Sequence, residues 1–196
     1  RSNLNFFSGN RLLKTLTVIW LYQNVFLALS VAVRNYWYLH YFNLAYKRIW
    51  VFAFLILVLY GLFTVLIKVR ERKTVRYLLI QNSIAAYIVI IVLSLVNWDN
   101  VIAKFNISRS SKAFFHTDFM NSLNSSTLPI LIMDDKKLEE VKKAQADIFS
   151  YHSNYMSFEL YNSSLKMRRK NFVEGYPKLH WLSWTLSDYL TYQKLK

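Results

Sequence analysis

Residues 49–98 read IWVFAFLILVLYGLFTVLI, KVRERKTVR and YLLIQNSIAAYIVIIVLSLVNW: two uncharged blocks of 19 and 22 residues flank nine residues that carry five basic groups. A bilayer hydrocarbon core of ~30 Å is crossed by about 20 residues of α-helix rising ~1.5 Å each. Inside lipid every backbone N–H and C=O must be bonded within the protein, which a helix achieves alone. The stretch is therefore expected to form a membrane hairpin with spans over about 49–67 and 77–98. Lys68, Arg70, Arg72, Lys73 and Arg76 then lie at the interface between the spans, within reach of anionic lipid headgroups.

Upstream, TLTVIWLYQNVFLALSVAV at 15–33 is a further 19 residues without a charge. In it Asn24, Ala28 and Ala32 recur at a spacing of four, with Asn35 three later, which lays a stripe of small and amide side chains along one helix face. Because Gln23 and Asn24 do not ionise, the stripe reads as helix-to-helix contact rather than a polar pathway. The second span aligns Gly61 and Thr64 on one face, and the third aligns Ser83, Ala86, Ser94 and Asn97. These small-residue seams are candidate packing surfaces. No Asp, Glu, Lys, Arg or His falls within the three spans, which argues against an ion pump or proton relay carried by them alone. The connection RNYWYLHYFNLAYKR at 34–48 is expected to lie along the interface as a short helix, an aromatic belt with flanking cations.

Mean hydropathy is +0.16, an average over two unlike halves. Residues 104–196 hold 14 of the 25 basic and 9 of the 11 acidic side chains. The expected fold class is all-α: a membrane domain of three transmembrane helices over 1–103, then a helical extramembrane tail over 104–196. In the tail, Thr117 or Asp118 is expected to cap one short helix, and Ser126 or Thr127 the next, with Pro129 in its first turn. Asp134 and Asp135 open a longer helix. Leu138, Val141, Gln145, Ile148, His152 and Tyr155 then recur at three and four, an amphipathic face expected to serve in docking, with Glu139 and Lys143 paired outside it. Phe158, Tyr161, Leu165 and Phe172 continue the pattern until Gly175 and Pro177 stop it.

The third span runs out in NWDNVIAKFNISR. Here Asn97, Ile102, Ala103, Lys104, Phe105, Asn106 and Arg109 resemble the motif of Asn, then Ile-Ala-Arg-Tyr-Asn, then Arg that closes the last span in an uncharacterised family of multi-spanning bacterial membrane proteins. That family is known as a domain of unknown function, the DUF4153/DUF4173 group; Lys and Phe stand here for its Arg and Tyr. DFMNSLNSSTLPIL at 118–131 is similar to its Asp-led and Pro-containing helices, and WLSWTLSDY, with Trp181 and Trp184, to its closing Trp-x-x-Trp. The resemblance implies a bacterial inner-membrane protein with further spans upstream, and it implies no activity.

The chain has no cysteine, which removes thiolate metal sites and thiol nucleophiles, and its three glycines form no phosphate-binding loop. His40, His116, His152 and His180 never fall at i,i+4. No catalytic, cofactor or metal site is expected, and the charge at the helix ends is read as membrane charge rather than a nucleic-acid footprint. The basic run Lys166, Arg168, Arg169, Lys170 is expected on a solvated or lipid-facing surface. Residues 2–10 hold no apolar core of a signal peptide. The expected partners are the lipid bilayer and other membrane protein subunits. Two functions follow: an accessory or scaffold subunit, or the C-terminal part of a transporter or membrane enzyme whose working residues lie in upstream spans. With five cations in the 68–76 connection, that connection is expected in the cytoplasm and the tail on the opposite side.

Overall fold

The computed structural model of the chain describes residues 9–148 and 155–196. Every regular element among them is helical: α1 (Arg11–Phe42), α2 (Tyr46–Glu71), α3 (Val75–Leu95), α4 (Trp98–Ser108), α5 (Thr117–Ser122), α6 (Leu128–Leu131), α7 (Asp135–Ile148), α8 (Phe158–Gly175) and α9 (Leu186–Leu195). Tight 3-10 turns occur at Ser125–Thr127, Tyr176–Lys178 and Trp181–Ser183. Three of these helices, α1, α2 and α3, are long and apolar enough to cross a membrane. The chain divides into two compact units. One comprises the residues up to Tyr38 with Tyr46–Val96, the other Leu39–Ala45 with Asn97–Lys196.

The first unit differs from expectation at both ends. The aromatic connection is not a separate interfacial helix, because α1 runs unbroken for 32 residues to Phe42 and carries Tyr36, Trp37, Tyr38 and Tyr41 on its final turns. Nothing in that stretch interrupts the backbone ladder, since it holds no Gly or Pro. α1 stops where Asn43 turns left-handed at φ 61°, a region that Asn enters more readily than most residues. α2 ends the same way at Arg72, φ 54°, with the Lys73 N–H reaching back to the Lys68 carbonyl at 3.1 Å to close the last turn. Thr74 caps α3, its hydroxyl accepting from the Tyr77 N–H at 3.4 Å. The third span was expected to reach Trp98, but α3 closes at Leu95.

The second unit has a small core of its own, in which Ile102, Ala103, Met120, Leu123, Leu128, Leu131, Tyr161 and Leu165 are buried. Asp135 opens α7 as expected, whereas the cap of α5 is His116, whose Nδ1 accepts from the Phe119 N–H at 3.1 Å. Asn124 caps the 3-10 turn before α6, and Pro129 sits in the first turn of α6. Ser157 caps α8. Leu138, Val141 and Gln145 are buried within this unit, so the stripe on α7 serves internal packing and not an outward docking face. His152, expected on the same stripe, lies outside the described residues, as does the side chain of Ile148. Lys142 pairs with Glu159 of α8, while Glu139 and Lys143 form no ion pair with each other.

Candidate functional site

In the second unit the residues of the Asn97-to-Arg109 motif converge on the three-residue link after α1. α4 begins at Trp98 because the Asn97 side chain accepts from the Asn100 N–H at 3.1 Å, filling one of the free donors of the first turn. Asn97 is thus the cap of α4 and not, as expected, a member of the α3 seam. Just over one turn on, Ile102 and Ala103 are fully buried, which draws this face of α4 inward and carries Asn106 with it. The Asn106 amide is used at both ends: Oδ1 accepts from the Leu44 N–H at 2.8 Å, and Nδ2 donates to the Leu44 carbonyl at 2.9 Å. A side chain here replaces a β-bridge. Nδ2 also lies 3.4 Å from Met120 Sδ.

Three more bonds complete the clamp. The Phe114 N–H donates to the Tyr41 carbonyl at 2.9 Å, and Asn43 Nδ2 donates to the Phe114 carbonyl at 3.0 Å. Arg109 Nη2 donates to the His40 carbonyl at 3.3 Å and sits equally close to His40 Nδ1, while its guanidinium lies 5.5 Å from the centre of the Phe105 ring. The loop between α4 and α5 is held from behind by Gln145 of α7. Its Oε1 accepts from the Phe115 N–H at 2.9 Å, and its Nε2 donates to the carbonyls of Ser110 at 2.6 Å and Ala113 at 2.9 Å. Phe114, His116 and Tyr155 close the cluster, the His116 and Tyr155 rings 4.5 Å apart. Burial pushes the His116 imidazole below its ordinary range, and Asp118 opposes this. Asp99 takes a structural position too, its Oδ1 3.5 Å from the Asn124 N–H.

In the first unit the polar side chains gather where α2 meets α3. Tyr60 donates to Gln81 Oε1 at 3.0 Å, and Asn82 Nδ2 donates to the Thr64 hydroxyl at 3.3 Å and to the Leu78 carbonyl at 2.8 Å. Thr64, fully buried, donates to the Gly61 carbonyl at 2.8 Å. A Cβ built on Gly61 would lie 3.4 Å from Asn82 Oδ1, an ordinary contact distance, so this amide packs directly over the glycine. Gly61 and Thr64 are therefore both at this crossing. On α1, Ala28 and Asn35 are buried and Asn24 and Ala32 half-buried, and Asn35 Nδ2 donates to the Arg48 carbonyl at 3.1 Å. Asn24 bonds to its own helix at the Trp20 carbonyl.

α3 has a covered and an outward side. Gln81, Asn82, Ala85 and Val89 are half-covered, whereas Ile80, Ile84, Ile88 and Ile91 and, adjoining them, Ser83, Tyr87, Ile90 and Ser94 are exposed. Ala86 lies half-covered at the border of the outward side, next to Ser83 and Ile90. The seam expected from Ser83 and Ser94 is thus not the one turned to α2. Gln23 of α1 is likewise exposed.

The headgroup candidates Arg70, Arg72, Lys73 and Arg76 are exposed at the α2–α3 turn and Lys68 is half-buried, with Lys73 3.4 Å from Glu71. The run at 166–170 is only partly a free basic surface. Arg168 donates to the carbonyls of Asn121 and, at 2.7 Å, of Leu123, and burial lowers its pKa. Arg169 donates to the Leu195 carbonyl at 2.8 Å. Lys166, Arg169, Lys170 and Lys196 border a groove of about 400 Å³. Beside Arg168, burial raises the pKa of the Tyr161 phenol. Trp181 and Trp184 are exposed.

Sequence reasoning placed Gln145 on the α7 stripe without its role and missed Gln81, Asn82 and Asn43. Gln145 gave a signal, a neutral amide inside an apolar stripe; the others did not, because their partners are distant in the chain. A family model described as a domain of unknown function (DUF4153) matches residues 6–133. No curated protein matches the chain, and no solved structure does.

Proposed function

Since the chain belongs to this family of unknown function, we propose that it is a multi-pass membrane protein acting as an accessory or scaffold subunit, packed beside other membrane proteins and doing no chemistry of its own. One observation carries the reading: the exposed arc of α3 holds Ser83 and Ser94 at one side and Ile80, Ile84, Ile88 and Ile91 at the other, with Tyr87 between them. In hydrocarbon, helices associate through small residues and interhelical hydrogen bonds, so the serine side of that arc is suited to another helix and the isoleucine side to lipid. Buried polar groups in both units support it indirectly, since Asn35, Asn106 and Gln145 hold backbone and Thr64 meets Asn82 of the neighbouring helix.

A photoreactive amino acid at Ser83 or Ser94, introduced singly and activated in native membranes, is expected to give the same cross-linked protein product. At Ile84 or Ile88 it is expected to give none. Equal products from the two sides, or none from either, would overturn the reading.

The bacterial inner membrane follows from the resemblance, and orientation from the five cations at the α2–α3 turn, which favour the cytoplasmic side for Thr74 and the opposite side for the tail. With no native cysteine to interfere, a cysteine at Thr74 is expected to label only after permeabilisation and one at Ser125 in intact cells. The reverse pattern would invert the assignment.

A further inference from the structure

The residues from 179 to 190 hold the largest outward apolar display of the second unit. Trp181 is 76% and Leu182 71% exposed, and Leu179, Trp184, Leu186, Tyr189 and Leu190 are exposed with them. They are not loose ends of a core. The Trp181–Ser183 turn is capped by His180, whose Nδ1 accepts from the Leu182 N–H at 3.4 Å. α9 is capped by Thr185, which accepts from the Asp188 N–H at 3.1 Å and donates to the Asp188 carboxylate at 2.8 Å. The other face of α9 is already packed, with Thr191 and Leu195 buried and the Thr191 hydroxyl 3.4 Å from the Ser126 carbonyl. Leu186 therefore points away from the unit's own core on a fixed scaffold, and Leu190 stays half exposed at the edge of a recess that it lines with Lys104 and Ile130.

Charge decides between occupants. Asp188 is the single acidic side chain from Lys178 to Lys196, and the cap of α9 uses it; Lys178, Lys194 and Lys196 flank the apolar residues. The cores of protein interfaces are depleted of lysine, whereas Trp, Tyr and Leu with lysines at the margin suit the boundary between acyl chains and anionic headgroups. So short a segment would bind a bilayer weakly by itself. Tethered to helices that span the same bilayer, it is held at high local concentration.

We propose that residues 179–190 are a membrane-surface anchor that seats Trp181, Leu182, Trp184, Leu186 and Leu190 in the headgroup region, with the flanking lysines on anionic lipid. This rests on α1, α2 and α3 spanning the membrane.

The test uses the full chain in nanodiscs of phosphatidylcholine and phosphatidylglycerol that hold no other membrane protein, with an environment-sensitive fluorophore on single cysteines. Leu182→Cys and Leu186→Cys are the test sites, Lys137→Cys on α7 the aqueous reference, and Ile88→Cys the bilayer reference. Spin-labelled lipid is expected to abolish most emission at 182, 186 and 88 but not at 137, and iodide to quench only 137. Replacing phosphatidylglycerol by phosphatidylcholine should reduce lipid quenching at 182 and 186 and leave 88 unchanged. Aqueous behaviour at 182 and 186 with lipid quenching at 88 would overturn the anchor while leaving the spans intact. Aqueous behaviour at 88 would instead overturn the spanning reading beneath it. Protection of 182 and 186 in native membranes but not in the nanodiscs would mark a protein interface and overturn the anchor as well.

Discussion

Replacing Asn106 by Leu is expected to open the clamp between α4 and the link after α1. Leucine is close in size, so little packing is lost, but the Leu44 N–H and carbonyl, bonded to Asn106 at 2.8 and 2.9 Å, lose both partners in a part-buried setting. Each group left unsatisfied costs roughly 1–3 kcal/mol, which makes the pair worth about 2 kcal/mol or more. That corresponds to a rise of ~30-fold or more in the open population, read as faster hydrogen exchange at the Leu44 amide. Asn106→Asp should also open the clamp at neutral pH, because the carboxylate still accepts from the N–H but opposes the Leu44 carbonyl in a buried position. Unchanged exchange in Asn106→Leu would show that the motif is not a clamp.

Gln145→Leu should be at least as damaging, since one buried amide serves the Phe115 N–H and the Ser110 and Ala113 carbonyls. The expected loss is roughly 3–5 kcal/mol, seen as a lower unfolding temperature and early proteolysis between α4 and α5. Gln145→Glu gives the sharper test. Its carboxylate would oppose two carbonyl oxygens, so the folded state favours the protonated acid and raises its pKa above the unfolded value. Stability is then retained at low pH, where the O–H can donate, and lost as pH rises through the folded pKa. Gln145→Leu should show no such dependence, and the same pH profile in both variants would exclude this account.

The long helices were legible because uncharged length is a local property, and so were α7 and α8, whose apolar residues repeat at three and four. The end of α1 was not, since aromatic residues between cations describe an interfacial segment and a helix end equally well. That the α3 seam is not the side turned to α2 was illegible for a related reason. Small residues mark where helices can approach, but the face turned to α2 is set by Gln81 and Asn82, whose partners Tyr60 and Thr64 lie on another helix. The motif resemblance singled out Asn106 and Arg109 without their role, because Leu44 and His40 precede them by 62 and 69 residues.

That separation bears on how the chain is made. Leu44 leaves the ribosome before α2 and α3, and Asn106 after both, so the bond that satisfies Leu44 cannot form until the whole hairpin has been synthesised. It also requires Leu44 and Asn106 to be on the same side of the membrane, which two complete crossings provide and one does not. A chain in which either helix failed to cross would leave a backbone N–H and carbonyl without their partner, and the second unit without one of its fastenings. The two bonds of Asn106 to Leu44 are thus among the last that this part of the chain can make.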